Sequence, residues 1–257
     1  MSAFAHTGVL VRRSVLRTAR QPANLVFSFA FPLILFAVNS AGLDSAAMLP
    51  GFPADSYLTF ALAVPFIQGA LFAANSAGAN FAEDIESGFL SRLSLTPLRG
   101  PALLSGQLAG IVVLGIVQSI VFLAVGEAAG AGFAAGIGGI PVLIALSVVI
   151  SLAFGSLGAL AALRTGSGEA VQGLFPVFFV FLFLSSTNLP RDLMQTEWFK
   201  TVATYNPVSY LVEAIRSLLI TGWDAGALAL GFGCAAAIAA VGLTAASLAL
   251  RSRMERT

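Results

Sequence analysis

Glu83, Asp84 and Glu86 stand close together in a chain of 257 residues of which only 10% are charged. They open the one long polar-rich segment lying between two uncharged spans on the more basic side, EDIESGFLSRLSLTPLR from Glu83 to Arg99. Histidine- or cysteine-based acid–base or metal chemistry would need partners that the chain lacks. His6 is its only histidine and Cys234 its only cysteine, so there is no histidine pair, no histidine–cysteine ligand set and no intramolecular disulfide. A Walker-type nucleotide cradle is excluded as well. The pattern G-x-x-x-x-G-K-[ST] is missing, and the sole lysine, Lys200, follows Phe199 and not glycine. The acidic cluster reads as part of a mechanical handle. Acidic groups in a first helical turn offset the positive end of the macrodipole. Ile85, Phe89 and Leu93, at four-residue spacing, give that helix one apolar face. Pro97 and Gly100-Pro101 then end it. The segment reads as a short amphipathic helix held at a membrane boundary, with a side on which a soluble partner can push. The same pattern serves an ordinary interfacial loop helix.

The elements that must carry this handle are membrane spans. A hydrophobic content of 58% excludes an ordinary water-soluble globule. A hydrocarbon layer of ~30 Å is crossed by ~20 helical residues. Six uncharged runs approach or exceed that length, at 24–43, 57–81, 101–125, 140–163, 171–187 and 225–250. None contains Asp, Glu, Lys or Arg. Transporters driven by ion gradients usually keep ionisable groups inside the membrane, so the energy is expected from elsewhere. An even number of spans puts both termini on one side. Ten arginines (12, 13, 17, 20, 92, 99, 164, 251, 253 and 256) lie on that side, against Arg191, Lys200 and Arg216 on the other. The positive-inside rule makes it cytoplasmic. A net charge of +1, spread along the boundary, points away from a nucleic-acid partner.

Residues 1–22 precede a run too long for a signal peptide's apolar region and read as an interfacial helix with arginines at the headgroups. Phenylalanines recur around prolines in the first, second and fifth spans. Phe31, Phe66, Phe72, Phe175 and Phe179, with the amides of Gln68 and Asn75, are the candidate lining of a substrate path. Unpaired amides are costly in hydrocarbon, which favours placing such groups against other helices. Between the fifth and sixth spans, residues 189–222 hold two amphipathic segments split by Asn206-Pro207. They are too polar to span and too apolar to lie free in water, and read as a hairpin dipping back into the outer leaflet. Glu213 and Arg216, three apart on one helical face, are expected to pair.

Two stretches together resemble a known family. The acidic cluster is followed by Ser87-Gly88-Phe89-Leu90, Arg92-Leu93 and Thr96-Pro97-Leu98, and Asn206-Pro207, Tyr210, Glu213-Ala214 and Arg216 come later. Their order is similar to that of the ATP-binding-cassette type 2 exporter permeases, and short loops point to the daunorubicin-resistance branch. The resemblance implies a single all-α permease domain over 1–257. It has six membrane helices, an N-terminal interfacial helix, a cytoplasmic coupling helix in the 83–99 loop and a re-entrant outer hairpin before the last span. The coupling residues it implies are Glu83, Asp84, Glu86, Gly88, Phe89, Leu90, Arg92, Leu93, Thr96 and Pro97. The chain itself would bind no cofactor and catalyse nothing. ATP and Mg would act on two copies of a partner ATPase, beneath a dimer of this permease with itself or a paralogue, in the plasma membrane of a bacterium. Hydrophobic or amphipathic drugs are the expected cargo, and a lipid or lipid-linked glycan is the alternative.

Overall fold

The computed structural model describes residues 12–14, 16–17, 20–89, 92 and 100–254. Leu90, Leu93, Thr96 and Pro97 of the expected coupling helix lie outside the described residues, as does most of the expected interfacial helix. The described residues contain nine α-helices and no strand: α1 (Pro22–Gly42), α2 (Tyr57–Ala61), α3 (Ala63–Glu86), α4 (Gly100–Ala128), α5 (Gly136–Thr165), α6 (Gly168–Phe183), α7 (Glu197–Tyr205), α8 (Pro207–Ile220) and α9 (Ala225–Met254).

Five of the described stretches are long and apolar enough to cross a membrane: Leu25–Gly42, Tyr57–Glu86, Leu108–Ala128, Gly136–Thr165 and Ala225–Arg253. The sixth expected span is shorter than its apolar run. Helix α6 has 16 residues, about 24 Å at 1.5 Å per residue. It stops at Phe183, and residues 184–187, expected to complete the span, form a turn in which Ser185, Ser186 and Thr187 are buried. The second span is interrupted at Leu62. Pro65 has no N–H to give the carbonyl of Ala61, and its ring crowds that position.

Helix α3 is the centre of the bundle, with 89% of its apolar stretch (Tyr57–Glu86, with α2) buried. It packs most extensively on α5, which packs in turn on α9. Small residues make this possible. A Cβ on Gly158 would come 2.3 Å from the carbonyl oxygen of Ala74, and one on Gly78 would come 2.9 Å from the carbonyl oxygen of Gly158. Without a hydrophobic drive between helices in lipid, such close backbone approach supplies the packing energy. The apolar core forms two groups. One holds Phe60, Phe122, Leu146 and Leu211; the other holds Phe81, Leu108, Leu163 and Leu250, towards the end of the bundle that carries Arg13, Arg17, Arg164 and Arg253. We call this the basic end. At the opposite end the amides of Ala134 and Ala135 donate to the carbonyls of Leu219 and Leu218, both at 3.0 Å. The turn between α4 and α5 thereby satisfies carbonyls that the end of α8 leaves open.

Candidate functional site

The acidic cluster sits at the opposite end of a helix from where its composition places it. Glu83, Asp84 and Glu86 form the last turn of α3, not the first turn of a new helix. The chain leaves that helix through Ser87 and Gly88, whose φ of +67° is a conformation that favours glycine. Phe89 and Arg92 follow in helical conformation, and the Arg92 amide donates to the Gly88 carbonyl at 3.1 Å.

Carboxylates at a helix C-terminus face the negative end of the macrodipole and need compensation. It comes from the N-terminal segment. Arg13 binds Asp84 with both forks of its guanidinium, Nη2 to Oδ1 at 2.8 Å and Nη1 to Oδ2 at 3.1 Å. Arg17 donates to the same Oδ1 at 2.9 Å and also to Glu83. The Asp84 side chain is 3% exposed, whereas that of Glu83 is 68% exposed. Hydrogen bonding to Asp84 raises the pKa of Arg13 above its already high usual value. The Arg13 guanidinium also lies 4.1 Å from the centre of the Phe89 ring, an arrangement that adds cation–π attraction. One turn back on α3, Asn80 accepts from Gln21 through its side chain at 3.3 Å and from Arg17 through its carbonyl at 3.4 Å. Glu86 points elsewhere, accepting from the amide of Gly168 at 3.3 Å at the start of α6. The last turn of α3 and the residues after it therefore touch both the N-terminal segment and the α5–α6 turn. Arg13 and Arg17 join the site only through the fold. Their four-residue spacing, which puts both on one helical face, is the signal in the sequence that could have found them.

The opposite end is built around a different arginine. The Asn206 side chain caps α8, accepting from the Val208 amide at 2.9 Å, and donates to the carbonyls of Phe181 and Leu184. Tyr210 donates to the Thr204 carbonyl at 2.9 Å, so Asn206, Pro207 and Tyr210 hold α7 to α8 and to the end of α6. The expected Glu213–Arg216 pair does not form. Glu213 accepts from Arg191 and from the hydroxyl of Ser186. Arg216, 6% exposed, donates to three backbone carbonyls: Phe60 at 3.2 Å, Ser186 at 3.0 Å and Thr187 at 2.9 Å. Its guanidinium also lies 3.4 Å from the centre of the Phe60 ring. The turn that cuts α6 short is what presents the last two carbonyls, and spacing along one helix cannot reveal it.

The phenylalanines of the candidate path divide into two groups. Phe72 of α3 lies 5.5 Å from Phe31 of α1 and 4.9 Å from Phe175 of α6, ring centre to ring centre. Phe179 is 4.8 Å from Phe175 and 6.0 Å from Phe31. Phe66 is not part of this cluster; it packs edge-on against Phe122 of α4 at 5.7 Å. The side-chain oxygens of Gln68 and Asn75 are buried without a hydrogen-bond partner.

Comparison with known proteins agrees with this architecture. The model of the ABC-2 type transporter family matches residues 5–220, which takes in both arginine-centred ends and leaves out α9. The daunorubicin resistance ABC transporter permease protein DrrB1 of Streptomyces coeruleorubidus is 28% identical over 226 residues, covering 83% of this chain and 76% of its own. A Mycobacterium tuberculosis protein named as a probable doxorubicin resistance ABC transporter permease, DrrC, is 25% identical over 224 residues, 85% of this chain and 78% of its own. Such permeases are transport subunits and not enzymes. With a family match across most of its length and a bundle of membrane-capable helices to carry it, the chain belongs to the ABC-2 type transporter permeases.

Proposed function

We propose that this permease is the membrane subunit of an exporter that moves hydrophobic or amphipathic compounds outward, driven by ATP hydrolysed with Mg on a separate ATPase. The observation that carries the proposal is the ion cluster joining Arg13 and Arg17 to Asp84 and Glu83. A helix end tied by charge to one neighbouring segment and through Glu86 to α6 is a rigid point of attack. Force applied near Phe89 reaches the N-terminal segment, α3 and α6 together, as rigid-body switching requires.

In this reading the basic end is cytoplasmic, both termini lie there, and the membrane is the plasma membrane of a bacterium. Two ATPase copies dock on the 83–99 segments of two permeases, identical or paralogous. Helices α7 and α8 dip back into the outer leaflet, where Asn206, Tyr210 and Arg216 anchor their ends. The cargo path runs along Phe31, Phe72, Phe175 and Phe179, whose rings meet edge-on or tilted and form an aromatic surface suited to flat aromatic molecules. The names of the relatives, which specify resistance to daunorubicin and doxorubicin, support that cargo class.

Glu86→Ala and Phe89→Ala test the docking role, because Glu86 is exposed and Phe89 only half-buried. Both variants are expected to fold, to lose co-purification with the ATPase and to stop stimulating its turnover. Normal co-purification and normal stimulation would refute the assignment.

A further inference from the structure

At the basic end, the C-terminal turns of α5 and α9 enclose a cleft of about 670 Å³. It plays no part in the coupling cluster or the aromatic path. Arg164 and Arg253 line its polar side together with Thr165 and Ser252, and Leu163 and Leu248 line its apolar side. Arg253 is held in place. Its Nη1 donates to the Leu163 carbonyl at 2.8 Å, and the guanidinium lies over Gly166, where a Cβ would come 2.5 Å from Nη2. Gly166 has a φ of +71° and closes α5, a backbone conformation that favours glycine. The hydroxyls of Thr165 and Ser252 give their protons to the carbonyls of Ala161 and Ala249. Thr165 also accepts a long bond from the Ser167 amide at 3.4 Å. A hydroxyl oxygen has two lone pairs, so each can still accept from a ligand. The cleft thus offers guanidinium donors for an anion and hydroxyl oxygens for a ligand that also carries O–H groups.

What lies beyond the cleft selects among anions. Leu248 is 58% exposed, and Val241, seven residues earlier on α9, is 69% exposed. Two helical turns separate them on one face; exposed Thr244 lies between them with its hydroxyl turned to the Ala240 carbonyl, so a largely apolar track leads from the basic cleft along the side of the bundle. A free phosphate would have no use for that track. An acyl chain would.

We propose that the cleft binds the phosphodiester of an anionic phospholipid, phosphatidylglycerol or a lipid of like headgroup, with Arg164 and Arg253 on the phosphate and an acyl chain along Leu248 and Val241. Placing this lipid in the inner leaflet rests on the cytoplasmic orientation of the basic end proposed above; the binding itself does not. Basic pockets between membrane helices on that side are suited to anionic headgroups.

Native mass spectrometry of the full-length permease in detergent tests this without an ATPase and without any assumption about orientation, so its failure is separable from failure of the exporter reading. Phosphatidylglycerol is expected to be retained over phosphatidylcholine. Arg164→Gln should cut that retention about fivefold with little change in thermal stability, since the Arg164 side chain is exposed at the end of α5. Arg253→Gln should cut it further. Excess inorganic phosphate should leave the lipid bound. Equal retention of the two lipids, or retention unchanged in both variants, would overturn the proposal. Displacement by inorganic phosphate alone would make this a free-phosphate site and overturn the lipid assignment. Loss of ATPase co-purification in Arg164→Gln with lipid retention intact would make the surface a protein contact, and would equally overturn it.

Discussion

The two ends of the bundle solve the same problem, a charge held close to apolar helices, in opposite ways. At the basic end, two arginines of the N-terminal segment meet two carboxylates of α3, and one side of the network, Glu83, is largely in water. At the far end Arg216 is buried and donates to backbone carbonyls of two separate segments, while Glu213 is taken by Arg191. The exposed Arg17–Glu83 pair can be screened and re-formed at modest cost, whereas the bonds of Arg13 and Arg17 to the buried Asp84 hold more firmly. A buried guanidinium bonded to backbone carbonyls cannot let go without leaving buried polar groups unpaired. In the proposed mechanism the basic end is displaced as a unit with the segments tied to it, and the end around Arg216 stays joined.

The largest effect is expected from Arg216→Met. It takes from the carbonyls of Phe60, Ser186 and Thr187 the donor that joins them in a buried site, a loss of about 3 kcal/mol or more. Thermal unfolding in detergent should show a large drop, with much of the protein aggregating on size exclusion. A near-normal melting temperature would mean that this end is not the fixed one. Gly158→Val should come next, costing about 1–3 kcal/mol by overpacking, because its Cβ would sit 2.3 Å from the Ala74 carbonyl oxygen. It should loosen α3 from α5 and slow transport while the ATPase still binds.

Asp84→Asn removes the charge that holds both Arg13 and Arg17. About 1.5–3 kcal/mol is at stake, the usual worth of hydrogen bonds to a charged group, but it concerns the attachment of one segment and not the fold as a whole. Faster proteolysis near Arg13, with global unfolding little changed, is the expected signature. Glu83→Gln should have the smallest effect, under about 1 kcal/mol, because Glu83 is exposed and its pair is screened by salt. A Glu83 variant as damaging as the Asp84 variant would erase the distinction between buried and exposed members of the cluster.

The same residues mark how much of the molecule is legible in its sequence. The long spans are, because an uncharged run of sufficient length has few other uses. Their ends are not. Hydropathy marks where the hydrocarbon stops, and α3 and α5 continue past that point through Glu86 and Thr165. The acidic cluster stands out by composition, yet composition puts it at the wrong end of a helix. Carboxylates near a helix end are favoured at the N-terminus, and only cations 67 and 71 residues before Asp84 in the chain reverse that preference here. Arg216 is hidden for a similar reason. Its neighbour Glu213 is visible in the spacing, whereas its true partners include carbonyls presented by the early stop of α6. Phe31, Phe72, Phe175 and Phe179 come together, while Phe66 turns to Phe122, a choice of helix face that composition leaves open.

The central claim is that force enters this permease from a separate ATPase through the end of α3. Vesicles reconstituted with the purified permease, loaded from outside with a fluorescent amphipathic probe, test it most directly. The account predicts no accumulation against a gradient by the permease alone, accumulation on adding its ATPase with Mg-ATP, arrest by vanadate, and no arrest when a proton gradient is collapsed. Uphill transport by the permease with no second protein present would contradict it.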